Sequence, residues 1–531
     1  MRPLHEVGAA LGLAPQDLHL WGPGRAKIPL EALNRPQRGR LVLLTAMSPS
    51  PAGIGKTTVA IALTDALRRR QVSAAVCLRE PSMGPVFGMK GGGTGGGQAQ
   101  LVPSERINLH FTGDSHAVTA AHNLLSAALD NHMHFGNPLG LDPRRLSWPR
   151  VQDLSDRSLR KVVVGLGGPG GGVPREDRFD ITAASEIMAV LSLARTPEEL
   201  RQRLGRMVVG RTAERKSIQA RELQVDGALA TLLEEALQPN LVQTRAGSPA
   251  LVHTGPFANL AHGTSSVLAT RAALQGADFV IQEAGFGADL GGEKFVDLFC
   301  PLAQVQPCCA VVLMTLQGLR YHGGVPKERL ADPDPQAVRR GLPNALFHLD
   351  LVTRFGIPVV PALNQHDSDP PDEIALVLEA LASEGYSAAK VRAFQEGGAG
   401  TMELAERVLE GSQTCALSQF KTFQVPGMTF EERLETLVRE VYGGEGFELS
   451  PRAREDLADC VRDGAERLPI CVARTPLSLS DDPTAVGVPR GFRIHVREIR
   501  LLAGAGFLVP VCGELMTMPG LPRRPNFEGY A

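Results

Sequence analysis

A glycine-rich turn near the start of the chain has the residue types of a phosphate-binding loop. Gly55, Lys56 and Thr57 lie between an apolar run that predicts a buried strand, residues 41–45, and a run that predicts a helix, residues 59–67. Glycines let backbone N–H groups curl around a phosphate, and the start of a helix adds its positive dipole. Lys56 would add a cation and Thr57 a hydroxyl for Mg²⁺. The turn predicted to bind phosphate is Ser50, Pro51, Ala52, Gly53, Ile54, Gly55, Lys56, Thr57 and Thr58; Ser50 stands where the usual pattern has its first glycine, so an ordinary strand-to-helix turn is the alternative.

More polar residues follow the next predicted strand, residues 74–78. Arg79 and Glu80 come at its end, and ligands bind at the carboxyl ends of strands in open parallel sheets. A forked guanidinium there suits a carboxylate or an acyl phosphate, whereas a buried Arg79–Glu80 ion pair is the alternative. Further along, Asp114 and His116 are predicted to be positioning or acid–base groups. An aspartate that caps its own helix fits the pattern at Asp114 equally well.

Short apolar runs recur through the first two-thirds of the chain and alternate with helical patterns, for example at residues 197–206 and 225–236. Runs of this kind are typical of a parallel sheet that helices cover on both faces. The predicted fold is therefore α/β, with a doubly wound parallel sheet. The other predicted strands are residues 161–165, 250–253, 279–281, 310–313 and 358–363.

Changes of pattern predict three domains. A polar, proline-rich turn at residues 368–372 and another change near residues 424–427 indicate boundaries. We predict a large α/β domain at residues 1–330, which carries the phosphate loop, and two smaller α/β domains at residues 331–425 and 426–531. A run of glycines at residues 91–97 is interpreted as a loop that lets a ligand approach the backbone closely.

Composition narrows the function. The chain has 531 residues, a formal net charge of −2 and 43% apolar residues, which predicts a globular protein that binds neither nucleic acid nor membrane. Its eight cysteines form no CxxC pair and no zinc pattern, so we expect buried free thiols in a reducing compartment. The first 14 residues do not have the pattern of a signal peptide, and no run of about 18 apolar residues occurs. We therefore expect a cytoplasmic protein with small-molecule substrates.

Taken together, these segments resemble formate–tetrahydrofolate ligases (formyltetrahydrofolate synthetases). Each segment alone is a weak signal, but so many in one order make the resemblance specific. It covers the chain almost from end to end, at residues 51–58, 79–97, 108–123, 165–186, 239–244, 255–263, 283–294, 322–324, 480–483, 503–507 and 516–522.

The resemblance implies a reaction in which ATP, formate and tetrahydrofolate give 10-formyltetrahydrofolate, ADP and phosphate through formyl phosphate. It implies that Arg79, together with Glu80, holds formate and formyl phosphate. Lys56 and Thr57 with Mg²⁺ would neutralise charge during phosphoryl transfer. Glu283 would orient Mg²⁺ or its waters, and a purely structural role for this glutamate is the alternative.

Two aromatic positions depart from the family. The family stacks the folate ring between a Phe and a Trp, but the corresponding residues here are His366 and Phe394. This pair offers less apolar area and includes a group whose charge changes with pH. In the phosphate loop, Ile54 stands where the family usually has Glu. The resemblance therefore supports the roles assigned to the ATP and formate residues more strongly than those assigned to the folate residues.

Three functions remain open on the sequence: an active ligase, including one with weak activity or an altered acceptor; a non-catalytic nucleotide- or folate-binding homologue; and another carboxylate-activating enzyme such as an acyl kinase. Retention of Lys56, Thr57, Arg79, Asp114 and the glycine run favours the first. The family resemblance also implies a homotetramer and, in some members, activation by a monovalent cation.

Overall fold

Seven parallel strands form the centre of the fold. The computed structural model describes residues 1–90 and 92–530, so the glycine run is described from Gly92 onward and Gly91 lies outside the described residues. Nearly every residue of the central strands is buried, which explains why their sequences are apolar throughout rather than alternating. The strands are β1 (Arg40–Ala46), β2 (Ala74–Leu78), β3 (Pro249–Val252), β4 (Phe279–Glu283), β5 (Pro307–Met314), β6 (Val359–Asn364) and β7 (Ala389–Val391).

The strands lie in the order β3-β2-β4-β1-β5-β6-β7, and all neighbours in this series are parallel. Their carboxyl ends therefore meet along one side of the sheet, which we call the carboxyl edge; the opposite side is the amino edge. β1, which leads into the predicted phosphate loop, lies in the middle between β4 and β5. This order places the loop where ligands bind in open parallel sheets.

Antiparallel strands extend the sheet beyond β3 to a total of 12 strands within the described residues. Asn240–Thr244 pairs with β3 on one side, and Ala26–Lys27 and Ala99–Val102 pair with Asn240–Thr244 in turn. These outer strands are His19–Leu20, Ala26–Lys27, Gly95–Gly96 and Ala99–Val102.

Helices pack on the sheet, as an α/β fold requires. The predicted helix at residues 197–206 is confirmed as Pro197–Arg206, with Thr196 accepting a hydrogen bond from the Glu199 backbone N–H as its cap. The helix predicted at residues 225–236 is shorter, Asp226–Leu232. The remaining α-helices are Leu4–Ala9, Lys56–Arg69, Met83–Pro85, Ser104–Asn108, Asp114–His134, Glu186–Leu193, Val267–Gly276, Cys300–Ala303, Leu316–His322, Pro335–Arg354, Pro371–Ser383, Ala393–Glu396, Met402–Gln413, Phe430–Thr436 and Pro451–Arg462.

One predicted strand pairs elsewhere. Val162–Val164, predicted within the parallel sheet, instead forms an antiparallel pair with Arg175–Asp177, outside the main sheet. Three valines in a row fit an exposed hairpin as well as a buried strand, because β-branched residues favour any extended backbone. The other small sheets combine Arg150–Gln152 with Phe179–Ile181, Leu141–Leu146 with Val208–Thr212 and Ser217–Gln219, and Gly446–Leu449 with Arg493–Leu502 and Phe507–Cys512.

The observed architecture confirms an α/β fold with a large, mostly parallel sheet. β6 and β7, which fall within residues 331–425, continue the sheet built by residues 1–330. The division into three domains stays a prediction. Within residues 1–90 and 92–530, no helix combines the length and the apolar character needed to cross a membrane.

Candidate functional site

The turn after β1 has the backbone shape that its glycines predict. Gly53 and Gly55 adopt φ angles of 81° and 79°, and the helix Lys56–Arg69 begins directly after them. A Cβ atom on Gly55 would lie 2.8 Å from Nδ2 of Asn364, so both conformation and space require glycine there. Asn364, the last residue of β6, donates a hydrogen bond to the Ile54 carbonyl at 2.9 Å. This hydrogen bond links the predicted phosphate loop to the end of a neighbouring strand.

Lys56 and Thr57 contact the loop that follows β4. The ammonium of Lys56 donates to the carbonyl oxygen of Phe286 at 2.6 Å, and Phe286 has a φ of 60°, unusual for a bulky residue. The hydroxyl of Thr57 donates to Oε2 of Glu283 at 2.8 Å. Glu283 is the last residue of β4 and is only 5% exposed. These contacts bring together residues that are more than 220 positions apart in the chain.

Arg79 reaches the same glutamate from the end of β2. Its Nη2 atom lies 4.0 Å from Oε1 of Glu283, and its side chain remains 29% exposed. At this distance the pair is electrostatic rather than a direct hydrogen bond, so most guanidinium donors remain available for an anion. Thr57 and Arg79 thus share one carboxylate at the carboxyl edge.

Glu80 lies buried beside this group and is not ion-paired with Arg79. Its Oε1 atom accepts a hydrogen bond from the Ser115 hydroxyl at 3.0 Å, while Oε2 has no partner among the described residues. Burial, together with the nearby charge of Asp114, raises the pKa of Glu80 to about 8. The alternative prediction, a buried ion pair between Arg79 and Glu80, is therefore not observed among the described residues. At neutral pH Glu80 is mostly protonated and can donate a hydrogen bond.

Asp114 opens the helix Asp114–His134 but does not cap it. One carboxylate oxygen pairs with the Lys27 ammonium at 2.7 Å, and the other accepts from the Asn240 amide at 2.7 Å. The residue is 2% exposed, so this is a buried and fully satisfied carboxylate. His116, two residues further along the same helix, is exposed. The structure therefore separates the environments of the two predicted acid–base residues.

The two predicted folate residues lie at the carboxyl edge on neighbouring strands. His366 follows the end of β6, and Phe394 lies shortly after the end of β7. Both are exposed, and Phe394 retains 58% of its accessible surface. The Phe394 ring lies against the glycine run: a Cβ atom on Gly96 would be 3.1 Å from its ring, and one on Gly97 would be 2.0 Å from its carbonyl oxygen. The glycines therefore make room for Phe394 at this point.

The sequence did not predict the buried polar network that lies beside the predicted phosphate loop. The Ser48 hydroxyl and the His348 Nε2 atom form a hydrogen bond at 2.9 Å, and His322 bonds to the Ser48 carbonyl at 3.0 Å. Burial lowers the pKa of both histidines to about 4, so both are neutral at pH 7. Asp289 forms a buried ion pair with Arg474, which joins this region to the C-terminal part. The only sequence signal was the motif at residues 322–324.

His262 contacts a serine in the described structure. Its Nε2 atom and the Ser192 hydroxyl form a hydrogen bond at 2.7 Å, and the ring is fully buried near Phe299. Burial lowers the pKa of His262 to about 3. These contacts anchor the glycine-containing loop at residues 255–263.

These features place Lys56 and Arg79 at the carboxyl edge of a parallel sheet, an arrangement typical of α/β enzymes that bind anionic ligands. A family model described as "Formate--tetrahydrofolate ligase" matches residues 1–530. The chain is 50% identical over 528 residues to the formate–tetrahydrofolate ligase of Paracoccus denitrificans, covering 99% of this chain and 95% of that protein. It is 49% identical over 530 residues to the ligase of Myxococcus xanthus (99% and 96%) and 48% identical over 530 residues to that of Paenarthrobacter aurescens (99% and 94%).

The chain belongs to the formate–tetrahydrofolate ligase family. The resemblance stated from the motifs is thereby confirmed, as is the prediction of a ligase. The alternative of a non-catalytic homologue is not favoured, because the family model and relatives about 50% identical over 99% of this chain are all described as formate–tetrahydrofolate ligases.

Proposed function

We propose that this formate–tetrahydrofolate ligase activates formate with ATP at the phosphate loop and transfers the formyl group at the adjoining strand ends. The observation that carries the proposal is the convergence of Thr57 and Arg79 on Glu283, with Lys56 beside them. Four residues from three separate strand ends reach one place that a phosphate chain could occupy. ATP and tetrahydrofolate are the substrates that the family implies.

In the first step, a formate oxygen attacks the γ-phosphorus of ATP, a new O–P bond forms, and ADP leaves. Lys56 and the N-terminus of its helix would neutralise charge on the phosphates. The free donors of Arg79 would hold formate in line and then bind the formyl phosphate. Positioning and charge neutralisation are the main contributions a protein makes to phosphoryl transfer, and these residues supply both.

Glu80 would act as a neutral hydrogen-bond donor. A carboxyl group that keeps its proton at pH 7 can donate to an oxygen of the acyl phosphate, which an ionised carboxylate cannot do. Its unpartnered Oε2 atom leaves one position for such a contact. The Ser115 hydroxyl would hold the other oxygen in place.

The residues present fit Mg²⁺. The Thr57 hydroxyl and the Glu283 carboxylate are hard oxygen donors 2.8 Å apart, and Mg²⁺ usually takes one or two protein oxygens together with substrate phosphates and water. Among residues 1–90 and 92–530, no three His, Cys, Asp or Glu side chains cluster as a metal site. When bound, the ion would neutralise charge on the phosphate oxygens.

In the second step, the N10 amine of tetrahydrofolate attacks the formyl carbon and phosphate leaves. His366 and Phe394 would hold the pterin ring at the carboxyl edge. Both Asp114 oxygens are engaged by Lys27 and Asn240, which favours exposed His116 as the group that accepts the N10 proton and leaves Asp114 a positioning role.

The decisive experiment measures 10-formyltetrahydrofolate formed from ATP, formate, Mg²⁺ and tetrahydrofolate. Wild type should form product, and Arg79→Ala should lose it while still binding ATP. A second assay, formate-dependent ADP release without folate, separates a ligase from an acyl kinase. Product formation by Arg79→Ala at the wild-type rate would overturn the proposed formate site.

Four broader expectations accompany this proposal. We expect a homotetramer, activation by a monovalent cation in line with some family members, a cytoplasmic location, and three domains at residues 1–330, 331–425 and 426–531. Sedimentation of the purified protein and activity in potassium against lithium buffers would test the first two.

A further inference from the structure

A large cavity lies at the amino edge of the sheet, on the side away from the proposed active site. Its volume is about 1020 Å³. Arg40, the first residue of β1, and Cys308, near the start of β5, both line it. Because β1 spans seven residues, this cavity is separated from the phosphate loop by roughly 20 Å of strand.

Three of the eight cysteines line this cavity: Cys300, Cys308 and Cys415. All eight are free thiols. Cys300 is 1% exposed, and burial raises its pKa well above the usual value, so it is an unreactive thiol. Cys308 also has little exposed surface but opens onto the cavity, and Cys415 is half-buried two residues beyond the helix Met402–Gln413.

Arg40 supplies a cation to this thiol-lined wall. Its Nη1 atom lies 3.4 Å from the Ser412 hydroxyl oxygen and 3.5 Å from the Ser412 carbonyl, so it is held at the end of the helix that precedes Cys415. Burial, followed by the nearby Cys308, raises the pKa of Cys415, and the charge of Arg40 acts against that rise. The same charge acts to lower the pKa of Cys308. A hydrogen bond with the Cys309 thiol is the larger cause of a lowered pKa at Cys308, and it outweighs burial. A thiol that opens onto a cavity with an arginine in its wall is in the kind of environment where cysteines react.

Cys309 differs from its neighbour although the two are adjacent in sequence. The register of β5 against β1 shifts between Pro307 and Cys309. Cys309 is fully buried, its Sγ atom lies 3.8 Å from the Val408 carbonyl oxygen, and it does not line the cavity. Its pKa is raised well above the usual value by the hydrogen bond with Cys308. At this irregular start of β5, the Cys308 thiol therefore faces the cavity and the Cys309 thiol does not.

We propose that Cys308 and Cys415 form a reversible redox pair that responds to hydroperoxides. The Cys308 thiolate attacks the peroxide oxygen, the O–O bond breaks, and the products are a sulfenic acid and water or alcohol. The Cys415 thiol then attacks that sulfur, an S–S bond forms, and a second water leaves. Two thiols and hydrogen peroxide therefore give one disulfide and two waters. A dithiol reverses the reaction by exchange.

The test uses the full-length protein treated with hydrogen peroxide, blocked with N-ethylmaleimide and digested with trypsin. Peptide mass spectrometry should find residues 295–320, which contain Cys308, joined to residues 408–421, which contain Cys415. The joined peptide should disappear in Cys308→Ser and in Cys415→Ser and after dithiothreitol, and persist in Cys309→Ser and Cys300→Ser. A bond to Cys300 or Cys309, or oxidation of Cys308 to sulfinic acid without any cross-link, would overturn the pairing.

The rate at which Cys308 is alkylated tests its reactivity without removing a cysteine. Arg40→Gln should slow alkylation of Cys308 by iodoacetamide by about threefold to tenfold, since loss of the nearby cation raises the pKa of this thiol and lowers its thiolate fraction. Arg38→Gln is the matched control, because Arg38 bonds to the Gly276 carbonyl and does not line the cavity. Equal rates in wild type and Arg40→Gln would remove Arg40 from the proposal. A fully buried thiol such as Cys77 should stay unlabelled throughout.

Discussion

The phosphate half and the folate half of the proposed site are built in different ways. The phosphate half is interlocked: Thr57 bonds to Glu283, Lys56 bonds to the Phe286 carbonyl, and Asn364 bonds to Ile54. The folate half consists of two exposed side chains, His366 and Phe394, on adjacent strand ends. One half is organised before any ligand binds, and the other leaves its apolar surface open.

This difference has a physical reason. Phosphoryl transfer depends on charges and dipoles that are already aimed at the reacting group, since reorganising them during the reaction costs free energy. Stacking of a flat ring depends on buried apolar area more than on exact orientation. A ring that enters between two exposed side chains buries that area as it binds. Changes in the first half should therefore reduce catalysis strongly, whereas changes in the second half should alter affinity.

The largest effect is expected at Lys56. Lys56→Ala should lower kcat by on the order of 10²–10³, because it removes the cation that we propose neutralises the transferred phosphate. The measurement is steady-state formation of 10-formyltetrahydrofolate with saturating ATP and formate. Exposed Lys327→Ala is the control and should behave as wild type. A loss of less than about tenfold would contradict the preorganised phosphate half.

A smaller loss is expected at Glu283. Glu283→Gln keeps the shape of the side chain but removes the charge that Thr57 and Arg79 share, so kcat should fall by about 10–100-fold and the Mg²⁺ concentration at half-maximal rate should rise. Activity titrated against Mg²⁺ measures both. Thr57→Ser, which retains the hydroxyl, should stay close to wild type. An unchanged Mg²⁺ requirement in Glu283→Gln would give this glutamate a purely structural role.

The folate half should respond through KM. His366→Phe adds apolar ring area, so KM for tetrahydrofolate should fall by about twofold to tenfold, the size of an added aromatic contact. Phe394→Ala should change the same KM in the opposite direction. KM for ATP and formate should not move in either variant. A change in ATP affinity in these variants would mean that the two halves are not separate.

The smallest effect concerns stability at Glu80. Its pKa is raised to about 8, so the folded protein holds this proton more tightly than the unfolded chain; the associated stability is present below about pH 4.5 and is lost as pH rises through about 8. Glu80→Gln mimics the protonated form and removes this loss. Melting temperatures of the two proteins should be similar near pH 5 and should separate by a few degrees in favour of the variant near pH 9. Parallel melting curves across this range would contradict a neutral Glu80.

The strand, turn and helix of the proposed site could be predicted from the sequence because they are contiguous in the chain. Strand, glycine turn and helix follow one another at residues 41–67, and a helix start with Gly-Lys-Thr is recognisable wherever the sheet lies. Arg79 was also identified, since it directly follows an apolar strand. The valine run at residues 162–164 shows the limit: its composition predicts a strand but not the strand that pairs with it.

By itself, the sequence determined the family, the α/β class, most of the parallel strands and the glycine turn that leads from β1 into a helix, since each depends on local residue types and order. Only the tertiary structure decided which side chains meet. Thr57 and Glu283 are 226 positions apart, and Lys27 and Asp114 are 87 apart. Such contacts follow from the strand order β3-β2-β4-β1-β5-β6-β7, and burial at those contacts then sets charge states such as that of Glu80. Neither strand order nor burial is encoded within a short segment, because both arise from packing of distant segments.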